Sequence, residues 1–197
     1  PRARARRPRP SRRIVVALVA CALLVGVGAA LYATPTSPLW RLVYRIDHAA
    51  LVEDAAQRHG LDPDLVCAII KCESDWDAGA VSHAGAVGLM QVMPSTAESL
   101  AEMGLVDGSA YDPSELTDPT TNVEYGCAYL GYLQEHLSSR EEIIAAYNAG
   151  LAAVQGWIAD GGSIPEGIEY EETRTYLERV LAAYEGYRSS YPGGITG

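Results

Sequence analysis

Phenylalanine is absent from this 197-residue chain, so aromatic packing must come from its tyrosines and its three tryptophans. Cysteine is scarce: there are four, and none stands in the CxxC or Cys/His spacing of a zinc site, so no metal is implied. Cys67, Cys72 and Cys127 lie beyond the first apolar segment. An odd number leaves at least one unpaired; a single disulfide could form in any of the possible pairings, and small buried apolar residues is the preferred reading. Basic side chains are nearly missing after Arg13, with eight against twenty-five acidic ones, a balance of −17. A body this acidic lacks the clustered cations that DNA or RNA phosphates require, which excludes nucleic-acid binding and leaves solubility as the plain meaning of the charge. Strand-like alternation, repeats and low-complexity tracts are missing too.

What is present begins with an asymmetry. The first thirteen residues carry seven arginines and no acid, and Ile14 to Ala33 then runs for twenty positions without a charge. As a helix that run would be roughly 30 Å long, enough to cross a bilayer. The arginines ahead of it place the N-terminus in the cytoplasm and the remainder outside. Two rivals stand beside this uncleaved anchor. Gly28-Ala29-Ala30 offers the small residues of a signal-peptide cleavage site, although the apolar run exceeds the usual h-region. Leu18-Val19-Ala20-Cys21 resembles a lipoprotein box, although largely apolar residues continue after Cys21. All three readings put the domain outside the cytoplasm. The expected division is a basic n-region over 1–13, the anchor over 14–33, a proline-stiffened linker over 34–45, a catalytic domain over 46–191 and a tail over 192–197.

From Leu39 onward the signals are helical. Asp47 to His59 reads as one helix stopped by Gly60. Asp62-Pro63 and Asp118-Pro119 each give an N-cap followed by proline in the first turn. Ser139 with Glu142 forms a capping box for Glu141 to Ala149, closed by Gly150. Pro94 opens a short helix that ends near Gly104, and two more are expected around Ala152–Ala159 and Tyr170–Tyr187. The Gly- and Ala-rich stretch from Ala78 to Met93 reads as a structured loop.

The chemistry centres on Glu73. Ile69 precedes it by one turn, and Ile70 and Trp76 lie at neighbouring helical offsets. A carboxyl held against such side chains loses hydration and keeps its proton to higher pH. A protonated glutamic acid is what glycosidic cleavage needs, because the leaving oxygen must receive a proton. Taken alone, a Glu near a helix end is a solvated surface residue more often than a catalyst.

The surrounding motifs change that balance. Glu73-Ser74, Ser82, Gly85-Ala86-Val87-Gly88-Leu89-Met90-Gln91 and Pro94 are followed in order by Ala146-Tyr147-Asn148-Ala149-Gly150 and Glu172-Thr173-Arg174-Thr175-Tyr176. Asn122 to Leu133 fits between them as a central helix. This pattern resembles the lytic transglycosylases of the soluble, lysozyme-like (SLT) type, over roughly Ile46 to Tyr187. One such motif is weak, but four in the right order are not. The resemblance implies an all-α, lysozyme-like (goose-type/SLT) helical domain, here after an N-terminal transmembrane helix, with peptidoglycan glycan strands as substrate and no metal or organic cofactor.

The resemblance also implies roles. Glu73 would be the single catalytic acid and base. Ser82 and Gln91 would line the sugar site, and Met90 would form part of the cleft wall. Tyr147 would sit beside Glu73 and fix it, with Asn148 holding the local backbone. Tyr176 would close the far side, and Glu172 would be a secondary polar contact. Each has a plainer reading: Tyr147 and Met90 as core, Asn148 as part of a helix end, Ser82 and Gln91 as loop braces, Glu172 as a first-turn acid. His83 stands where the family often has proline, so the loop after Ser82 is expected to be less rigid.

The implied reaction breaks the bond between N-acetylmuramic acid and N-acetylglucosamine without water, leaving a 1,6-anhydro end. A goose-type lysozyme using the same Glu for hydrolysis is the first alternative. A catalytically silent peptidoglycan-binding protein is the second.

Overall fold

The computed structural model describes residues 12–196. The first helix, α1, runs Arg12–Ala33. Nine helices in all are present among the described residues: α2 Pro38–Val43, α3 Ala49–Arg58, α4 Pro63–Glu73, α5 Pro94–Glu102, α6 Pro119–His136, α7 Arg140–Ala149, α8 Leu151–Ala159 and α9 Glu171–Ser190. The all-α expectation describes this architecture. Residues 1–11 of the n-region and the final residue of the tail lie outside the described residues.

The starts of the helices follow from short-range chemistry. Asp62 accepts a 3.0 Å bond from the amide of Asp64, and Asp118 a 2.9 Å bond from that of Thr121, each ahead of a proline whose missing N–H costs nothing there. Ser139 and Glu142 exchange both bonds of the capping box. Helix α4 is the centre of the fold. Its residues from Leu65 to Ile70 are all buried, so it is enclosed on every side, lying along α9 and packed on α3. Each fully buried Leu, Val or Ile contributes about 1.5–3 kcal/mol, which makes α4 the least dispensable element. It therefore gives its last residue, Glu73, a rigid base.

Two segments differ from the sequence-based reading. The 34–45 stretch, expected to be an extended linker, contains α2. Pro38 occupies the first turn, and the side chains of Thr34, Ser37 and Trp40 take the otherwise free carbonyls of Ala30, Leu31 and Tyr32 at the end of α1. Second, no helix among the described residues is long and apolar enough to cross a membrane.

Between α4 and α5 the chain folds into a compact loop pinned by isolated antiparallel bridges, Val81 with Val87 and Val87 with Val92. Gly88, at φ +78°, presses so closely on the Asn122 amide and the Leu116 carbonyl that no side chain fits there.

Candidate active site

Glu73 ends α4, and the backbone leaves the helix abruptly after it. Ser74 caps the last turn and donates a 2.8 Å bond to the carbonyl of Leu89, joining the helix end to the loop. Asp75 and Trp76 both adopt positive φ, 50° and 71°, a conformation that costs each roughly 1–3 kcal/mol. A dense network holds that turn. Trp76 is buried and donates from Nε1 to the Tyr187 hydroxyl at 2.9 Å, Tyr187 donates to the carbonyl of Arg45 at 3.0 Å, and Arg45 donates to the carbonyl of Asp75 at 2.8 Å.

The Glu73 carboxyl is partly buried, and burial pushes its pKa above the ordinary range for glutamate. Its place at a helix C-terminus, where carbonyl dipoles disfavour negative charge, acts in the same direction. A bond from Tyr176 and the charge of Arg179 oppose the shift without cancelling it. Tyr176, on α9, donates to Glu73 Oε1 at 2.6 Å. Arg179, one turn further, donates to the carbonyl of Cys72 at 2.9 Å and so clamps the last turn of α4 from outside. The result is a carboxyl that keeps its proton to higher pH than a solvated glutamate and is held in place by Tyr176.

Tyr147, expected beside Glu73, is close enough to feel its charge, but its hydroxyl donates elsewhere, to the carbonyl of Met90 at 2.8 Å. Both phenols, Tyr147 and Tyr176, are pushed well above their usual pKa, first by burial and then by Glu73, so both serve as neutral donors. Gln91 has φ 48°, and its Nε2 donates to the carbonyls of Ala80 and Gly88 at 3.1 and 3.0 Å. Those bonds fix the amide and leave its oxygen uncommitted. The Ser82 hydroxyl accepts from the amide of Ala86 at 3.0 Å, bracing its own turn, while His83 beside it is exposed. Asn148 is exposed, and its Oδ1 accepts from the Thr173 hydroxyl at 2.7 Å. Gln91, Tyr147 and Asn148 share a hollow of about 220 Å³ with Met93, Thr96 and Tyr129.

Two of the expected contacts stand apart. Met90 has no exposed surface: its side chain fills the place a side chain at Gly126 of α6 would occupy, so it is core and not cleft wall. Glu172 is exposed in the first turn of α9, where an acid complements the helix dipole. Trp76 and Trp157 are buried and offer no face to a sugar.

One residue central to the site escaped the sequence reading. Asn122, almost fully buried on α6, accepts from the amide of Met90 at 2.7 Å and donates to the carbonyls of Val87 and Leu116 at 2.7 and 2.8 Å. It is the clasp that holds the loop against the helices. Its signal was slight: a polar residue one turn before Gly126, on the face that α6 turns inward. Among the described residues no group of three or more His, Cys, Asp or Glu is placed to hold a metal ion.

An all-α body, with one carboxyl of raised pKa at the end of a buried helix beside a pinned loop, is the arrangement of a lysozyme-like domain. The chain belongs to the transglycosylase SLT domain family, whose profile matches residues 50–166. It is 38% identical over 133 residues to the soluble lytic murein transglycosylase of Escherichia coli K12, a match covering 64% of this chain and 20% of that protein. It is 40% identical over 114 residues to the membrane-bound lytic murein transglycosylase C of Haemophilus influenzae PittEE, covering 53% of this chain and 31% of that one. The crystal structure of the 70 kDa soluble lytic transglycosylase of E. coli superposes with a TM-score of 0.71 at 31% identity, over 79% of this chain and 26% of that chain. A complex of the 70 kDa soluble lytic transglycosylase with bulgecin A gives 0.71 at 32% identity, over 80% of this chain and 26% of that chain. The match thus spans between a fifth and a third of the length of these relatives.

Proposed function

We propose that this chain is a peptidoglycan lytic transglycosylase that breaks the β-1,4 bond between N-acetylmuramic acid and N-acetylglucosamine and leaves 1,6-anhydro-muramic ends. The observation that carries the reading is the Glu73 carboxyl, partly buried, held by Tyr176 and raised in pKa. In the protonated state it donates to the bridging oxygen as the bond breaks. The substrate's own acetamido carbonyl can stabilise the positive charge that develops at the anomeric carbon, so a second carboxylate is not required. Glu73, now ionised and steadied by Tyr176, takes the proton of the sugar's 6-hydroxyl. That oxygen attacks the anomeric carbon and closes the anhydro ring, an intramolecular step that proximity favours over attack by water. Gln91, through its free oxygen, and Ser82, through its hydroxyl proton, are the polar groups assigned to the sugar.

The test is mass spectrometry of the fragments released from purified peptidoglycan by the parent protein and by Glu73→Gln. Anhydro products from the parent and none from the variant are expected. Products heavier by one water would replace this reading with the hydrolytic one, and an active Glu73→Gln would remove Glu73 from the mechanism.

We further propose that the segment from Ile14 to Ala33 tethers the domain to the outer face of the cytoplasmic membrane. Support comes from its twenty charge-free positions behind seven arginines. The tether predicts that the full chain sediments with membranes after a carbonate wash, and release into the supernatant would refute it.

A further inference from the structure

Helix α2 has no buried residue, yet it is largely apolar. Leu39, Leu42 and Val43 stand at i, i+3 and i+4, so they form one stripe, and they are 40%, 74% and 43% exposed. The other side of α2 and its C-cap Tyr44 rest on aromatic neighbours. Trp40 stacks on Tyr44 at 6.0 Å, Tyr44 meets the edge of Tyr187 at 5.4 Å, and the Arg41 guanidinium lies 5.4 Å from the Tyr191 ring centre. Gly186 of α9 leaves the space that the Tyr44 ring fills. At its N-terminal end α2 is also bound to α1, through the 2.8 Å bond from Trp40 Nε1 to the carbonyl of Tyr32 and the 5.4 Å contact of those two rings. An exposed apolar stripe on a helix fixed at both ends is not a packing accident of a loose segment.

We propose that α2 is an interfacial element whose Leu39, Leu42 and Val43 dip into the headgroup boundary of a phospholipid bilayer. The proposal rests on the membrane reading of residues 14–33. Lipid is the occupant for reasons of continuity and charge. The exposed apolar surface of α1 runs to Tyr32, 68% exposed, and the α2 stripe resumes a few residues later. Tyr32 and Trp40 at that junction are the residue types enriched where hydrocarbon meets headgroups. Arg41 and Arg45 are the only Lys or Arg residues between Thr34 and Gln57, and both remain exposed although Arg41 lies over Tyr191 and Arg45 bonds the Asp75 carbonyl; exposed cations next to an apolar stripe suit anionic headgroups. Because α2 is also packed on α9, which carries Tyr176, the membrane contact would set the orientation of Glu73 above the bilayer.

The test uses the full chain with Leu42→Trp, a substitution at a position open enough to accept it, and Leu39→Trp as a second probe. Protein is reconstituted in phosphatidylethanolamine–phosphatidylglycerol vesicles, with and without dibrominated phosphatidylcholine, and floated on a density gradient. The proposal requires co-flotation, with the added tryptophan emission blue-shifted and quenched roughly twofold by the brominated lipid, because an interfacial helix buries its apolar face about 5–10 Å into the headgroup boundary. Co-flotation with unquenched emission overturns the proposal and leaves the tether standing; an unquenched blue shift would mean that protein, such as a second copy, covers the stripe. Failure to co-float overturns the tether, and α2 insertion with it.

Discussion

The hydroxyl of Tyr176 donates to Oε1 of Glu73 at 2.6 Å, linking the first half of α9 to the last residue of α4. This bond favours the ionised carboxylate and so works against burial. Tyr176→Phe removes it and raises the pKa of Glu73 further. The loss of activity with rising pH, set by the need for a protonated acid, is therefore expected to move to higher pH. The ionised base loses its steadying donor, so kcat/KM falls about tenfold, the scale of a hydrogen bond to a charged group. Tyr147→Phe provides the contrast: its hydroxyl bonds the Met90 carbonyl, so stability drops while the pH profile stays in place. A profile unmoved in Tyr176→Phe would show that the bond has no part in tuning the acid.

Glu73 also carries a stability signature. Its folded pKa lies above the unfolded value because of burial, so the folded state binds the proton more tightly. Stability from this group is fully present below the ordinary glutamate pKa and is lost as pH rises through the folded value. Glu73→Gln keeps an oxygen for Tyr176 and abolishes the titration. Its Tm should exceed the parent's by a few degrees at mildly alkaline pH and converge with it in acid. Parallel melting curves at every pH would contradict the burial argument.

The Asn122 clasp makes a different demand. Its amide serves two loop carbonyls and one loop N–H from a buried position. Asn122→Ala leaves all of them without that partner, at about 1–3 kcal/mol for each group left unsatisfied. Partial relaxation of the loop reduces the sum, so a loss of about 2–4 kcal/mol in urea unfolding is expected. The pH dependence of the remaining activity should not move, since Asn122 does not touch Glu73. A loss near zero would mean that the loop holds itself.

The contrast between Asn122 and Asp118 shows what the sequence could disclose. The cap at Asp118 is a contact within one helical turn, so residue type and spacing reveal it, as they do for Asp62 and for Ser139 with Glu142. The same caps located the starts of α4 and α6, and the ordered motifs brought out Glu73. Asn122 acts across more than thirty positions, and nothing local records which carbonyls it meets. The choice between Tyr147 and Tyr176 as the partner of Glu73 was hidden for the same reason, being set by how α9 lies on α4. Met90 was placed on the cleft because its motif surrounds the site, whereas the space left by Gly126 draws its side chain into the core. Helix α2 was obscured by Pro35 and Pro38, since proline marks stiffness equally in an extended chain and in a first helical turn.

A last consequence concerns a charge cluster remote from Glu73. Glu124, nearly buried on α6, accepts from Arg58 at 2.6 and 3.1 Å and contacts His59 Nε2 at 2.9 Å. Burial alone would raise its pKa, but the bonds from His59 and Arg58 outweigh that and hold it below the ordinary range. Stability from Glu124 is therefore present above the ordinary glutamate pKa and lost as pH falls through its lower, folded value. Glu124→Gln should cost about 2 kcal/mol near neutrality, less than a fully buried pair because Arg58 is partly solvated. That difference should shrink towards zero as both proteins are titrated into acid. Urea unfolding across that range reads it directly, and a penalty that persisted unchanged in acid would assign the cost to packing and not to charge.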